Sequence, residues 1–406
     1  MKGSLFSSLF FICLFGFGQE DYKLPLGEFS WQQKNSFGGG PRDDGSTFVI
    51  DGKGYYGCGA DFGFQIRNDW WSYNLERDTW SEVANLPDRP RQYALGFNSA
   101  SNGFLVSGIL DDGQYSSQCF KYAPLTNEWV QLSDAPFEER AKSAGFRIGS
   151  TYYLGGGVSD SSIYNDFWAF DLDTEKWRLI GSLPFSGRYD MIGFSYLNFG
   201  YLGLGANSHE TFRELWRFDL SREQWELISQ FPGMATTYSC AIAESGGAVV
   251  FGGMNDSGGL VSEVYHYSAY HNIWTKLDSI PSGKLRGIEG FVLDNHMVII
   301  GGLAKNFTRL STVQALQFAA SRLNSNLIIW PIPARSEVSF QCISNALNLV
   351  GLVEIIDSKG TLILSKQVVN LTKVNTVKLD DLENGIYYLR IVSESEIFVR
   401  SIVVSN

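Results

Sequence analysis

The stretch that decides the fold is residues 143–180, which read SAGFRIGSTYYLGGGVSDSSIYNDFWAFDLDTEKWRLI. Apolar and polar residues alternate here with the period of β-strands rather than of helices. The alternation predicts strands at Ser143–Arg147, Tyr152–Leu154, Phe167–Asp171 and Trp177–Ile180. Glycine clusters and an Asp-rich turn separate these segments. The stretch therefore predicts one four-stranded antiparallel sheet.

The same plan recurs along the chain at intervals of 48 or 49 residues. A tryptophan marks the fourth strand at Trp31, Trp80, Trp129, Trp177, Trp225 and Trp274. A glycine marks the end of the second strand at Gly59, Gly108, Gly156, Gly205, Gly253 and Gly302. An aromatic residue marks the third strand at Tyr73, Tyr122, Phe170, Phe218 and Tyr267. Four short strands repeated at about 50 residues are typical of the blades of a β-propeller.

Two local motifs make the repeat resemble kelch repeats over about Trp31 to Phe318. The double glycine of that family stands at 155–156, 252–253 and 301–302. Its Asn-Asp-aromatic entry to the third strand stands at 68–70 and 165–167. The resemblance implies an all-β, six-bladed, kelch-type β-propeller.

The phase of the two series predicts how the ring closes. Trp31 precedes Gly59 by 28 residues, the interval by which Trp80 precedes Gly108, and the sixth unit has leucine at position 323 where a tryptophan is expected. We therefore expect the strand near Phe29–Gln33 to complete the last blade, which removes an open sheet edge.

After about residue 320 the period stops, and seven strand-like segments follow in fewer than 90 residues. This density predicts a small Ig-like β-sandwich over residues 321–406. The predicted strands are Leu327–Trp330, Val338–Cys342, Val353–Asp357, Leu362–Val369, Val374–Leu379, Ile386–Val392 and Ile397–Val404.

The C-terminal segment resembles the sorting domain of proteins exported by the type IX secretion system of Bacteroidetes. The features that carry the likeness are Trp330-Pro331-Ile332-Pro333, the turn at 357–360, the segment 384–391 (NGIYYLRI) and the ending 400–404 (RSIVV). The family usually has asparagine between the two prolines, where this chain has Ile332. The resemblance implies type IX secretion machinery as a partner, and the alternative is an accessory sandwich without an export role.

The chain also begins like an exported protein. Lys2 precedes an apolar run from Leu5 to Phe17, which is too short to span a bilayer and predicts a signal peptide at residues 1–18. The propeller then occupies residues 19–320, and we expect secretion or display at the cell surface, with no transmembrane segment. A net charge of −11 makes nucleic acid an unsuitable partner, because phosphate binding needs clustered cations.

Five arginines form the first set of candidate ligand-binding residues. Arg42, Arg91, Arg140, Arg188 and Arg286 come at the start of the first strands, and Thr236 has that phase in the fifth unit. A ring of guanidinium groups would suit carboxylates or sulfated and sialylated glycans. The alternative is that these arginines tie neighbouring blades together.

Aromatic residues on the loops between second and third strands form the other candidate set. They are Phe62, Phe64, Tyr115, Tyr164, Phe212 and Phe307. Exposed aromatic residues on such loops can anchor sugars or peptides, and the alternative is packing onto the neighbouring blade.

An enzymatic function stays open in one form. The sequence has four histidines and no Cys-x-x-Cys pair, so we expect no metal and no cofactor. A metal-free sugar epimerase or mutarotase, as known on kelch propellers, would use arginine with a carboxylate such as Asp43, Asp190 or Glu289. The leading prediction is a secreted protein that binds an extracellular glycan or protein ligand through its loop face.

Overall fold

The computed structural model describes residues 29–318, apart from 197–198, 245 and 270–271, and residues 327–330, 334–342 and 351–404 with short gaps. The predicted signal peptide at residues 1–18 lies outside the described residues. So does the junction placed at residue 320.

Six four-stranded antiparallel sheets repeat along residues 29–318 and form the blades of a β-propeller. Blade one consists of Ser46–Ile50, Lys53–Gly57, Trp70–Asn74 and Thr79–Val83. Blade two consists of Leu95–Asn98, Gly103–Val106, Cys119–Ala123 and Glu128–Gln131. Blade three consists of Ala144–Ile148, Thr151–Gly155, Asp166–Asp171 and Lys176–Ser182. Blade four consists of Ile192–Tyr196, Phe199–Gly203, Glu214–Asp219 and Gln224–Gln230. Blade five consists of Cys240–Glu244, Gly247–Phe251, Val264–Ser268 and Ile273–Lys276. Blade six consists of Glu289–Leu293, His296–Ile300, Val313–Phe318 and the N-terminal strand Phe29–Lys34.

Smaller elements lie on the loops that connect these strands. Two-residue strands pair Arg42–Asp43 with Ala60–Asp61, Arg91–Gln92 with Ile109–Leu110, and Thr236–Thr237 with Met254–Asn255. A 3-10 turn covers Lys305–Phe307. These pairings hold the loops against the strand starts on one face of the propeller.

The last blade closes as the tryptophan phase predicts. Phe29–Lys34 pairs antiparallel with Val313–Phe318, and Trp31 lies opposite Leu316. The Trp31 ring packs edge-on against Phe251 of blade five, with centroids 6.1 Å apart. The N-terminal strand therefore joins the two ends of the propeller.

The C-terminal residues form the two-sheet sandwich that the strand count predicts. One sheet contains Leu327–Trp330, Glu337–Cys342 and Asn375–Lys378, and the other contains Leu362–Val368, Gly351–Asp357, Gly385–Ser393 and Ile397–Val404. Val338 and Phe340 of the first sheet share one buried apolar cluster with Val353, Ile355 and Leu389 of the second. All seven predicted strands are confirmed, and most differ from the predicted limits by one or two residues.

Candidate binding site at the mouth of the channel

A repeated backbone contact between blades fixes which residues are equivalent around the ring. The marker glycine of each blade, or the glycine after it in blade three, donates its N–H to a carbonyl at the start of the next blade: Gly59 to Arg91, Gly108 to Arg140, Gly157 to Arg188, Gly205 to Thr236, Gly253 to Leu285 and Gly302 to Arg42. Leu285, not Arg286, therefore has the position of the other arginines. The prediction that Arg286 belongs to the same series is wrong by one residue.

The other four arginines are buried, with no more than 2% of each residue exposed. Each is paired within its own blade: Arg42 with Asp69, Arg91 with Asp88 and Gln118, Arg140 with Asp166, and Arg188 with Glu214. Further donors reach backbone carbonyls, as in the bond from Arg140 Nη1 to the oxygen of Gly156 at 3.2 Å. The donors that have no partner among the described residues, such as Nε and Nη1 of Arg188, are buried and therefore out of reach of a ligand in the channel.

Two of the loop aromatic residues belong to this same buried arrangement. The Tyr164 ring lies 3.8 Å from the guanidinium carbon of Arg140, and the Phe212 ring lies 3.5 Å from that of Arg188. Phe137 and Phe185 cover the same two guanidinium groups from other sides. This geometry supports the alternative that these arginines and aromatic residues stabilise the blades.

The remaining loop aromatic residues are placed differently. Phe62, Phe64 and Phe307 are 76%, 64% and 70% exposed, whereas Tyr115 is partly buried. Phe64 in blade one and Phe307 in blade six approach each other, with ring centroids 6.3 Å apart. They form a small exposed aromatic surface on the loop face.

The centre of that face is lined by a set of residues that the sequence predictions did not single out as a group. We call them the central ring, and they are Asp44, Tyr93, Lys142, Asp190, Tyr238 and Gly287. All six have left-handed backbone conformations, with φ between 52° and 60°. Other equivalent positions of the blades share this conformation, such as Asp78, Asn127 and Glu175 in the turns between third and fourth strands. The conformation therefore belongs to the repeat, and the variety of side chains around one opening distinguishes the central ring.

Backbone hydrogen bonds connect the central ring from blade to blade. Tyr93 N–H donates to the oxygen of Asp44, Lys142 N–H to that of Tyr93, and Asp190 N–H to that of Lys142, at 3.0 to 3.1 Å. Asp44 N–H donates to Gly287, and Gly287 N–H donates to Tyr238, both at 3.1 Å. These bonds hold six backbone positions, five of which carry side chains, around one opening.

Lys142 lies at the middle of the resulting polar cluster. Its ammonium donates to the Tyr238 hydroxyl at 2.6 Å and lies 3.3 Å from Asp190 Oδ2. It also lies 4.4 Å from the Tyr93 ring centroid, 4.2 Å from that of Tyr238 and 5.5 Å from that of Tyr189. Burial lowers the pKa of Lys142, but Asp190 and Tyr238 outweigh burial, so the pKa lies above its usual value and the group stays charged.

A second ion pair completes the cluster. Arg286 Nη1 lies 3.4 Å from Asp44 Oδ2, and its guanidinium carbon lies 4.5 Å from the Tyr238 ring centroid. The displaced Arg286 therefore does reach the channel mouth, although by a different route from the one predicted. Because the arginine and the carboxylate contact each other directly, they leave no space between them for a substrate.

Three carboxyl groups near the cluster titrate above their usual range. Burial raises the pKa of Asp190 to about 6, although Lys142 opposes the shift. Burial and the neighbouring Asp44 raise the pKa of Asp43 to about 7 against the effect of its partner Arg309. Burial and Asp44 raise the pKa of Glu289 to about 8, so this carboxyl is largely protonated at neutral pH.

The cluster opens into a cavity of about 230 Å³ that continues along the first strands of the blades. Below the central ring the cavity is narrow, because glycines allow the first strands of neighbouring blades to lie close together. A Cβ atom on Gly96 would lie 2.5 Å from the carbonyl oxygen of Thr47, and one on Gly193 would clash with that of Gly145. The inner strands can approach this closely only with glycine at these positions, so the cavity suits a single small group.

A signal for the central ring was present in the sequence. Four of its members stand two residues after the four arginines, and Tyr238 stands two residues after Thr236. These positions share the repeat phase but not the residue type, unlike the tryptophan and glycine series. A position whose residue type varies in this way is a candidate for a role other than holding the blades together.

Glu289→Gln is expected to change the pH dependence of stability. A carboxyl whose pKa is higher in the folded than in the unfolded state lowers stability as pH rises from about 4.5 to about 8. Asp190 and Asp43 act in the same direction. Glutamine cannot ionise. At pH 9 the free energy of unfolding of the variant should therefore exceed that of the unaltered chain by about 1 kcal/mol or more, and its melting temperature should be higher. At pH 4.5 the two chains should be equally stable. Thermal unfolding at both pH values measures this.

The matched control is Glu138→Gln, since Glu138 is exposed on a loop. It should leave both melting curves unchanged. A Glu289→Gln chain that is less stable than the unaltered chain at pH 9 would contradict the assignment.

Two comparisons with known proteins found similarities to this chain. Residues 328–405 match the family model of the secretion system C-terminal sorting domain. The solved structure of YjhT, a β-propeller protein, aligns with a TM-score of 0.59 at 17% sequence identity. The alignment covers 70% of this chain and 99% of that one. No curated protein matches the chain by sequence.

These findings define the class of protein. The chain is a β-propeller that carries a C-terminal sorting domain for secretion, and the sorting domain indicates export with release or attachment at the cell surface. Among the described residues, no helix has the length and apolar character needed to cross a membrane.

Proposed function

We propose that this exported propeller binds a glycan through the central ring, with one uncharged, hydroxyl-rich sugar residue seated in the channel mouth. The observation that carries the proposal is the central ring itself. Six equivalent positions share one backbone conformation, yet they present acidic, basic, phenolic and glycine residues around one cavity. A repeat built only for stability has no need of this variety.

The charge balance of the cluster favours an uncharged ligand. Lys142 is paired with Asp190 and Arg286 with Asp44, so neither sign of charge is in excess, and Glu289 is largely protonated at neutral pH. A ligand carboxylate or sulfate would have to displace Asp190 or Asp44 from its partner. Hydroxyl groups can donate to these carboxylates and accept from the cations without breaking either pair.

The size of the cavity favours the end of a glycan over a folded protein surface. Ligand pockets for drug-sized molecules span roughly 300–1,000 Å³, whereas this cavity measures about 230 Å³. Tyr93 and Tyr238 form its aromatic walls, with ring centroids 6.1 Å apart. A single sugar ring offers both the hydroxyl groups for the ion pairs and the apolar face for the tyrosines.

The experiment is a glycan-array screen with the whole chain and with the double variant Lys142→Met, Asp190→Asn. Removing both partners avoids leaving a buried charge unpaired. The double variant is expected to lose binding to the recognised glycans. Its matched control is Lys121→Met, Glu175→Gln, which removes an ion pair of 2.6 Å between blades two and three, away from the cavity. Retained binding by the first variant, or equal loss in the control, would contradict the proposal.

One observation supports a metal-free sugar-modifying enzyme as a second candidate. Asp190 and Glu289 line one cavity with pKa values of about 6 and about 8, so a base and an acid coexist near neutral pH. Together they could take a proton from an anomeric hydroxyl and give one to the ring oxygen, which opens a sugar ring without net consumption of protons. Proton NMR of anomer exchange with the sugars recognised on the array would detect this activity, and Glu289→Gln should abolish it.

A further inference from the structure

The exposed aromatic pair on blades one and six is not accounted for by folding. Phe64 and Phe307 both have left-handed backbone conformations, with φ of 58° and 59°. Asn306, which precedes Phe307 in the loop between the second and third strands of blade six, also has a φ of 59°. A bulky residue in this conformation is strained, at a cost of about 1–3 kcal/mol. Since both side chains remain mostly exposed, burial does not compensate for the strain.

The loop that carries Phe64 is also held firmly in place. Asp61 Oδ1 accepts hydrogen bonds from the backbone N–H groups of Gly63 at 2.8 Å and Gln65 at 3.0 Å. Its other oxygen accepts from Arg67 Nε at 2.7 Å. The Phe64 ring is therefore presented by an ordered turn rather than by a loose loop.

The aromatic pair is connected to the central ring through one ion pair. The guanidinium carbon of Arg309 lies 4.4 Å from the Phe64 ring centroid, and Arg309 bonds to Asp43, the residue next to Asp44. Within the described chain, Asp43 Oδ2 and Arg309 Nη1 are buried without a hydrogen-bond partner. Such atoms are costly to leave unsatisfied. Because both are buried, this ion pair connects the aromatic pair to the central ring and does not itself contact a ligand.

We propose that Phe64 and Phe307 form a second sugar-binding position, which stacks against the residue that follows the terminal sugar in the channel mouth. The inference rests on the proposed function and deepens it, because it assigns the ligand as an oligosaccharide rather than a monosaccharide. The flat aromatic faces suit the apolar C–H face of a sugar ring, and rigid presentation limits the entropy lost on binding. Phe62, which is exposed on the same turn, adds to this surface.

The test compares sugars that differ only in length. Isothermal titration of the whole chain would use three series: glucose, maltose and maltotriose; galactose and lactose; and N-acetylglucosamine, chitobiose and chitotriose. In the series that binds, the longer sugars should bind about tenfold more tightly than the monosaccharide, as a stacking contact of about 1.4 kcal/mol provides.

The variants are Phe64→Gly and Phe307→Gly, because glycine adopts positive φ without strain. Each should remove most of the gain for the longer sugars, leave monosaccharide affinity unchanged and keep or raise the melting temperature. Leu125→Gly is the control, since Leu125 is 96% exposed on a turn between third and fourth strands, away from these loops. It should change neither affinity.

The outcomes separate the two proposals. Monosaccharide binding with no gain from length, or a gain that survives both variants, overturns the second position but leaves the channel site standing. Loss of monosaccharide binding in the glycine variants also overturns it, because the aromatic pair would then act through the central ring. Absence of binding in all three series overturns this proposal together with the neutral-glycan function.

Discussion

A chain that begins at residue 35 is expected to lose cooperative unfolding and to aggregate. It lacks Phe29–Lys34, the outer strand of blade six, so Val313–Phe318 becomes an unpaired edge. The deletion also removes Trp31 from its contact with Phe251, and the side-chain bond of 2.6 Å between Gln32 and Gln317. Thermal unfolding followed by circular dichroism, with light scattering for aggregation, measures the effect.

The matched control is a chain that begins at residue 29 and keeps the strand. It should unfold in one transition, like the unaltered protein. If the two shortened chains melt at the same temperature, the N-terminal strand does not close the propeller.

Arg140→Ala is expected to destabilise the propeller by about 3 kcal/mol, because it removes a fully buried guanidinium group and leaves the partly buried Asp166 with the Trp168 indole as its remaining side-chain donor. It also removes hydrogen bonds to the carbonyl oxygens of Glu138 and Gly156, and the stacking on Tyr164. Chemical denaturation gives the free energy of unfolding directly.

Arg89→Ala is the matched control, because Arg89 is 39% exposed and pairs with Asp111 and Asp112 at the surface. Surface pairs of this kind contribute about 0–1 kcal/mol. Equal and small losses in the two variants would make the buried arginines candidates for ligand binding again.

The architecture could be predicted because the scaffold repeats residue types as well as spacing. Trp31 and the marker glycines fix the phase of the blades, and hydrophobic alternation gives the strands to within about two residues. The same spacing argues against Arg286 as a member of the arginine series, because it follows Trp274 by 12 residues, whereas each of the other five positions follows its tryptophan by 11. The residue type outweighed the phase in that prediction, although a shift of one residue moves a side chain from the blade interior to the channel mouth.

The sequence contained a signal for the burial of the arginines, namely a carboxylate that follows three of them at a nearly constant distance. The partners Asp69, Asp166 and Glu214 follow Arg42, Arg140 and Arg188 by 26 or 27 residues. A carboxylate that recurs at a fixed distance from a recurring arginine indicates a structural pair. The cluster around Lys142 could not be predicted in this way, since Lys142, Asp190 and Tyr238 come from three blades and meet only when the ring closes.

The most direct test of the central claim is a crystal structure of the chain with the tightest-binding saccharide. We expect electron density for a sugar ring in the channel mouth, within hydrogen-bond distance of Asp190 and Lys142 and against the Tyr238 ring. Density confined to another part of the surface, such as the cavity of about 580 Å³ beside Tyr115 and Tyr164, with an empty channel mouth, would contradict the account.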